Sequence, residues 1–201
     1  MGAAALLQVV VALTVAQLTP AQKASLLVVS GLPAPPGVGG VIVRPADRKR
    51  AWPPDALVFA DQEGGSVRGL PDLPPARAAA SYSSTAQAFV AGRATGAALR
   101  RARVEVDLAP VLDAPDGPLG SRQFRRARLG VAFARGLAAS GEAACAKHFP
   151  GLGSAAVSTD DDPHVTAVVR PWELAGFTAA IRAGVPCVMV NHAFYRSLGR
   201  R

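Results

Sequence analysis

The sequence predicts an α/β fold with a parallel sheet, because short apolar runs alternate with longer segments of helical periodicity. Of the 201 residues, 50% are hydrophobic and 18% are charged, which is typical of a globular chain. An eight-stranded α/β barrel usually takes about 250 residues, so the length indicates an incomplete one. The strand candidates are residues 25–30, 38–43, 56–60, 104–108, 143–146 and 186–190.

Helices are predicted between these strands. Ser84 and Gln87 have the spacing of a capping box, which predicts a helix from there to about Arg101. Glu173 is expected at the positive end of the last helix, in the first turn after Pro171. Two buried stripes are expected, Leu129, Phe133 and Leu137 in one helix and Leu174, Phe177 and Ile181 in the next, with Gly141 and Gly184 as the respective stops.

The net charge of +8 raises the question of a nucleic-acid partner. The basic residues cluster at 48–50, 100–103 and 125–128, without interleaved aromatic residues or a nucleic-acid motif. We therefore expect solvated basic faces and no nucleic-acid partner.

The two cysteines of the chain say little about the redox compartment. Cys145 and Cys187 each lie in an apolar strand-like run, which favours buried free thiols.

Residues 1–18 are apolar enough to resemble the hydrophobic part of a signal peptide, but the match is incomplete because no basic residue precedes them. The run is also too short for a stable membrane span. We therefore interpret it as a signal-like segment or as a helix packed on the barrel. Both a cytoplasmic and a secreted location stay open, and residues 19–201 are expected to form one partial barrel domain.

Polar residues follow four of the predicted strands, at positions 61–63, 113, 147–148 and 191–192. Parallel strands bring their carboxyl ends to one edge of the sheet, so these residues are expected to share one site. Asp61 is a candidate for binding sugar hydroxyls, because each carboxylate oxygen accepts hydrogen bonds. Lys147 beside His148 is costly to bury without partners, which favours a functional pocket over a structural ion pair with Asp113 or Glu63.

The polar loop at residues 154–164 ends in a second candidate, Asp162 and His164. An Asp two residues from a His can accept its ring N–H and raise the basicity of the other ring nitrogen. The alternative is a solvated run of acids. The spacing fits neither an EF-hand loop nor a zinc-binding helix, so no metal is expected.

Six segments form an ordered series along the chain: residues 38–42 (VGGVI), 61–65 (DQEGG), 108–113 (LAPVLD), 121–124 (SRQF), 147–151 (KHFPG) and 188–192 (VMVNH). In this order they resemble motifs of glycoside hydrolase family 3, and the likeness is greatest to its bacterial β-N-acetylhexosaminidase branch.

This resemblance implies a TIM-type (β/α)8 barrel, with about six of eight strands present, that removes terminal N-acetylglucosamine with retention of configuration. It implies no cofactor, and it implies a carbohydrate partner, for which cell-wall glycan is one source. The residues that match sugar-binding positions are Asp61, Arg122, Lys147 and His148. Asp162 and His164 match the acid/base dyad of the branch.

Departures from the family pattern lead to further expectations. Ser66 replaces a usual arginine, whose contact is either lost or supplied by Arg68, and Leu152 replaces a frequent histidine. The family's nucleophile is an aspartate on a seventh strand, and the chain has no matching residue, so we expect a fragment with little or no turnover. A β-glucosidase-like enzyme of the same family and a non-catalytic sugar-binding protein stay open as alternatives.

Overall fold

The computed structural model describes residues 16–199 and contains one six-stranded parallel sheet. The strands are β1 (Val29–Ser30), β2 (Gly40–Val43), β3 (Leu57–Ala60), β4 (Gln62–Gly64), β5 (Val67–Arg68), β6 (Val106–Asp107), β7 (Ala143–Phe149), β8 (Thr166–Ala167), β9 (Cys187–Val190) and β10 (Phe194–Tyr195). The order in the six-stranded sheet is β1-β2-β3-β6-β7-β9, and two two-stranded sheets, β4-β5 and β8-β10, lie in the loops. The predicted α/β class and incomplete barrel are confirmed.

Four helices of the described chain accompany the sheet: α1 (Pro20–Ser25), α2 (Thr85–Arg101), α3 (Ala127–Ala139) and α4 (Pro171–Arg182). The prediction of a strand over residues 25–30 is wrong in its first half, because Ser25 ends α1. Thr19 and Gln22 form a complete capping box around Pro20, and this local signal starts a helix that runs into the first residue of the predicted strand. Residues 26–27 then form a turn, which leaves only Val29–Ser30 as strand.

The capping box predicted for α2 forms only in part. Ser84 Oγ accepts the backbone N–H of Gln87 at 3.2 Å. The Gln87 side chain turns instead to Ser83, accepting its backbone N–H at 3.3 Å and its hydroxyl at 3.1 Å. The helix therefore starts where predicted, but the side chain of Gln87 contacts Ser83 and not the backbone N–H of Ser84.

Helices α2 and α3 pack with their backbones in close approach. A Cβ atom at Gly92 would collide with the carbonyl of Phe133, and one at Gly136 would collide with that of Phe89. Small residues at the crossing thus let the predicted stripe of α3 reach the sheet, where Phe133 and Leu137 are buried.

The buried stripe predicted for α4 holds fully at only one of its three positions. Phe177 is buried as expected, Leu174 is half-buried, and Ile181 is 56% exposed. Glu173, Gly176 and Ala180 occupy the inward positions of the helix, and their spacing directs Ile181 outward. Gly184 ends the segment with a positive φ of 85°.

The prediction of free thiols is also wrong. Cys145 and Cys187 form a disulfide between β7 and β9, where they are direct partners in the parallel register. Their side chains lie in the barrel interior with Val106 and Leu108. The pairing depends on strand register, which neither local sequence reveals.

Most of the 1–18 segment lies outside the described residues, so its interpretation stays a prediction, as does the 19–201 domain boundary. Between residues 16 and 199, no helix is long and apolar enough to cross a membrane.

Candidate active site

The ammonium group of Lys147 lies between two carboxylates at the carboxyl ends of the strands. Lys147 belongs to β7 and is 1% exposed. Its Nζ atom lies 2.5 Å from Asp61 Oδ1 and 2.7 Å from Glu63 Oε1. Asp61 directly follows β3 and Glu63 lies in β4, so the structure brings Asp61 and Lys147 together as expected.

The opposite charges around Lys147 and Glu63 stabilise the ionised form of each side chain. Burial by itself would lower the pKa of Lys147, but the charges of Glu63 and Asp61 outweigh burial and hold that pKa above its ordinary value. Burial by itself would raise the pKa of Glu63, but the hydrogen bond from Arg122 and the charge of Lys147 bring it below its ordinary value. Lys147 and Glu63 are therefore both ionised at neutral pH.

Arg122 joins the group from the short 3-10 helix at Gly120–Arg122. Its guanidinium donates from Nε to Glu63 Oε2 at 2.8 Å and from Nη2 to Glu63 Oε1 at 2.9 Å, which is a bidentate pair. Its Nη1 atom donates to Asp160 Oδ2 at 3.0 Å. Glu63 thus connects the two predicted cationic residues, Arg122 and Lys147.

His148 is held by a buried carboxylate. Its Nδ1 lies 2.7 Å from Asp113 Oδ2, and its backbone N–H donates to the same oxygen at 3.0 Å. The other oxygen of Asp113 accepts the backbone N–H of Leu152 at 2.7 Å. When Asp113 accepts this hydrogen bond as a carboxylate, the proton is on Nδ1 of His148. The other ring nitrogen, Nε2, is then available to a ligand.

All four predicted sugar-binding residues, Asp61, Arg122, Lys147 and His148, line one cleft of about 300 Å³. This volume lies at the lower end of the range for small-molecule sites. The 154–164 loop adds Thr159 and Asp160 to the wall, and the segment after β9 adds Asn191 and His192.

A larger cavity of about 510 Å³ lies away from this group, between the loop at residues 74–77 and α2. Its lining is mostly apolar, with Val90 and Ala91 on the helix side and Arg77 as a charged member. Sugars require convergent polar groups, which the smaller cleft supplies, and we therefore take the smaller cleft as the site.

The structure does not bring Asp162 and His164 to the cleft. Asp162 Oδ1 accepts the backbone N–H of His164 at 2.8 Å, so in this arrangement the carboxylate binds the main chain of His164. His164 is exposed, and neither residue lines the cleft. Their assignment as the acid/base dyad stays a prediction.

The expectation that Arg68 supplies a missing arginine contact finds no support in its position. Its guanidinium folds back on its own loop, donating to the carbonyls of Gly65 at 3.2 Å and Pro71 at 2.5 Å. Leu152, in the position of a frequent family histidine, is buried in an apolar cluster. Both positions thus serve the packing of loops near the cleft.

Glu173 binds the backbone of the two loops that contain Ala114 and Gly153. Its Oε1 atom accepts the backbone N–H of Ala114 at 3.2 Å and of Gly153 at 3.0 Å. Burial raises the pKa of Glu173 above its ordinary value. Its predicted place in the first turn of α4 is confirmed, and the buried contacts to two loops add a second role.

The sequence interpretation missed the contribution of Asp160 and treated Glu63 only as a candidate ion-pair partner. Glu63 could have been inferred from its place two residues after Asp61, inside the motif itself. Asp160 carried no distinguishing signal, because it belongs to a run of three aspartates. Among the residues that the structure describes, no cluster of three or more His, Cys, Asp or Glu is arranged to hold a metal ion.

Comparisons with known proteins match the part of the chain that holds these residues. The family model described as "Glycosyl hydrolase family 3 N terminal domain" matches residues 42–201, which include every site residue named above. A β-hexosaminidase from Methylococcus capsulatus is 34% identical over 171 residues, covering 76% of this chain and 51% of the relative. The chain thus spans about half the length of that relative.

Solved structures are similar over most of the chain. A family 3 β-N-acetylglucosaminidase from Paenibacillus sp. has a TM-score of 0.75 and 28% identity, covering 90% of this chain and 43% of that one. A family 3 glycosyl hydrolase from Mycobacterium smegmatis has a TM-score of 0.74 and 27% identity, covering 90% and 65%. With its family model matched over residues 42–201, the chain belongs to glycosyl hydrolase family 3.

Proposed function

We propose that this chain forms the sugar-binding wall of a retaining O-glycoside hydrolase of the β-N-acetylhexosaminidase type, which removes terminal N-acetylglucosamine. The observation that carries the proposal is the placement of the buried Lys147 between Asp61 and Glu63, in the lining of a small cleft. The β-hexosaminidase relatives, at about 34% identity, support the hexosaminidase type, and the similar β-N-acetylglucosaminidase from Paenibacillus sp., at 28% identity, supports the choice of sugar.

The cleft offers both acceptors and donors for hydroxyl groups. The Asp61 side chain is 39% exposed, and its carboxylate has an oxygen beyond the one paired with Lys147. An ammonium group has three N–H bonds, and two of those on Lys147 go to carboxylates. The third is available to a hydroxyl, so Asp61 and Lys147 can bind one sugar face together.

His148 adds a donor or acceptor of defined direction. Because Asp113 engages Nδ1, the ring is held in one orientation with Nε2 at the cleft. Loss of the Asp113 contact would allow the ring to rotate and exchange its ring nitrogens.

Catalysis requires more than this wall. A retaining glycosidase uses two groups about 5 Å apart, one as acid/base and one as nucleophile. For His164 to act as the acid/base, the 154–164 loop must carry its ring to the cleft. The assignments of Asp162 and His164, the retaining course and the fragment nature of the chain all stay predictions.

The direct test is calorimetric titration with N-acetylglucosamine. We expect binding by the unchanged chain, and at least about tenfold weaker binding by Asp61→Asn and Lys147→Ala, since each removes a charged hydrogen-bond partner. Lys49→Ala is the matched control, because Lys49 is exposed and outside the cleft. If Lys147→Ala does not fold, Asp61→Asn by itself tests the proposal. The proposal would be contradicted if Asp61→Asn bound N-acetylglucosamine as tightly as the control Lys49→Ala.

Turnover assays separate this proposal from its alternatives. An aryl N-acetylglucosaminide and an aryl glucoside should be compared as substrates of the same preparation. Preference for the glucoside would favour a β-glucosidase-like enzyme, while sugar affinity without any turnover would fit a binding protein. Efficient hydrolysis by the 201-residue chain would contradict the prediction that it is a fragment.

A further inference from the structure

The 154–164 loop places one of its three consecutive aspartates against the cleft. Asp160 Oδ2 accepts a hydrogen bond from Arg122 Nη1 at 3.0 Å, and its backbone N–H donates to Ser158 Oγ at 3.1 Å. These contacts hold the tip of the loop against the wall that carries Arg122. The Asp160 side chain is nevertheless 68% exposed, so it is accessible to a ligand.

We propose that Asp160 contacts the bound sugar directly and helps to select it. This proposal rests on the proposed function. Its Oδ1 atom accepts a hydrogen bond from one sugar hydroxyl, while Oδ2 stays on Arg122. The geometry that assigns this role is the position of Asp160 in the lining of the cleft that also contains Asp61 and Lys147.

The two neighbouring aspartates do not have this position. Asp161 is exposed, Asp162 Oδ1 accepts the backbone N–H of His164, and both residues lie outside the cleft lining. Of the three aspartates, only Asp160 therefore combines an exposed carboxylate with a place in the cleft lining.

The charge state of Asp160 suits an acceptor. Burial by itself would raise its pKa, but the hydrogen bond and charge of Arg122 outweigh burial and hold the pKa below its ordinary value. An ionised carboxylate only accepts hydrogen bonds, so it favours hydroxyl donors.

The same charge disfavours acidic sugars. Asp61 and Asp160 line the cleft with two carboxylates, while Glu63 is buried against the cations Lys147 and Arg122. The Asp160 side chain is 68% exposed, so a sugar that bears its own carboxylate would be repelled there. The arrangement therefore selects neutral sugars.

The experiment is calorimetric titration of the full chain with N-acetylglucosamine, using Asp160→Ala, Asp160→Asn and the control Asp161→Ala. We expect Asp160→Ala to bind about tenfold more weakly, which is typical of losing a charged hydrogen bond. Asp161→Ala should stay within about twofold of the unchanged chain, since a surface charge outside the cleft contributes little. Asp160 lies on an exposed loop, so these variants should keep the melting behaviour of the unchanged chain.

A second arm distinguishes direct contact from an effect through Arg122. The 3-, 4- and 6-deoxy analogues of N-acetylglucosamine are titrated into the unchanged chain and Asp160→Ala. If Asp160 binds one hydroxyl, one analogue will bind both proteins with equal affinity, because the contact is already missing. If every analogue still binds Asp160→Ala about tenfold more weakly, Asp160 acts only by orienting Arg122 and the proposal is overturned.

The outcomes also separate this proposal from the function on which it rests. Absence of N-acetylglucosamine binding by the unchanged chain contradicts the proposed function, and this inference with it. Binding by the unchanged chain together with unaltered affinity of Asp160→Ala contradicts this inference alone.

Discussion

Glu63 and Lys147 form an ion pair of 2.7 Å in which both side chains are almost fully buried, at 1% and 2% exposure. Glu63 also receives two hydrogen bonds from Arg122, so one carboxylate holds two cationic side chains of the cleft. This arrangement makes Glu63 the centre of the polar group, although the residue is scarcely accessible to a ligand.

Replacing Glu63→Gln should destabilise the protein by about 3 kcal/mol, because the variant leaves buried cations without their charge partner. Chemical denaturation at pH 7 measures the change. Asp160→Asn is the control, since it removes the exposed partner of the same Arg122 and should cost less than about 1 kcal/mol. Equal losses in the two variants would contradict the central role of Glu63.

Glu142 should make the protein less stable as the pH rises. Burial raises the pKa of Glu142 to about 8, and neither of its side-chain oxygens has a hydrogen-bond partner among the described residues. Because the folded pKa exceeds the ordinary value of 4.5, the folded state binds the proton more tightly, and the stabilisation present at low pH is lost between these two values.

The variant Glu142→Gln carries no ionisable group and should be more stable than the unchanged chain at pH 8, by on the order of 3 kcal/mol. At pH 4 the difference should nearly vanish. Urea unfolding at both pH values measures it, with Asp55→Asn as a control for removing an exposed negative charge. A constant difference at both pH values would show that titration of Glu142 is not the cause.

Glu173 should stabilise the protein through its acceptor oxygen and not through its charge. Glu173→Ala leaves the buried amides of Ala114 and Gly153 without an acceptor, at an expected cost of about 2–4 kcal/mol. Glu173→Gln keeps an oxygen in place and should cost about 1 kcal/mol or less. Thermal or urea unfolding separates the two, and similar losses would indicate that the charge matters.

The disulfide should be detectable and stabilising. Alkylation under non-reducing, denaturing conditions should modify neither Cys145 nor Cys187, as measured by intact mass. Because the pair closes a loop with a sequence separation of 42, replacing both residues by Ala should lower stability by about 2–4 kcal/mol. Full alkylation without a reductant would contradict the pairing.

The sequence by itself determined the approximate positions of the six sheet strands and most of the cleft. Apolar runs with polar residues directly behind them identified the carboxyl ends of the strands, and Asp61, Lys147 and His148 lie there because parallel strands end at one edge. Arg122 was identified by its likeness to a family motif, since the short 3-10 helix that holds it carries no periodic sequence signal.

Only the tertiary structure decided which side chains meet. The pairing of Cys145 with Cys187 depends on the register of two strands that are far apart in the sequence. The choice of Asp160 over its two neighbouring aspartates depends on how one irregular loop lies against Arg122. Local patterns report periodicity and turn chemistry, whereas register and loop placement follow from packing across the whole barrel.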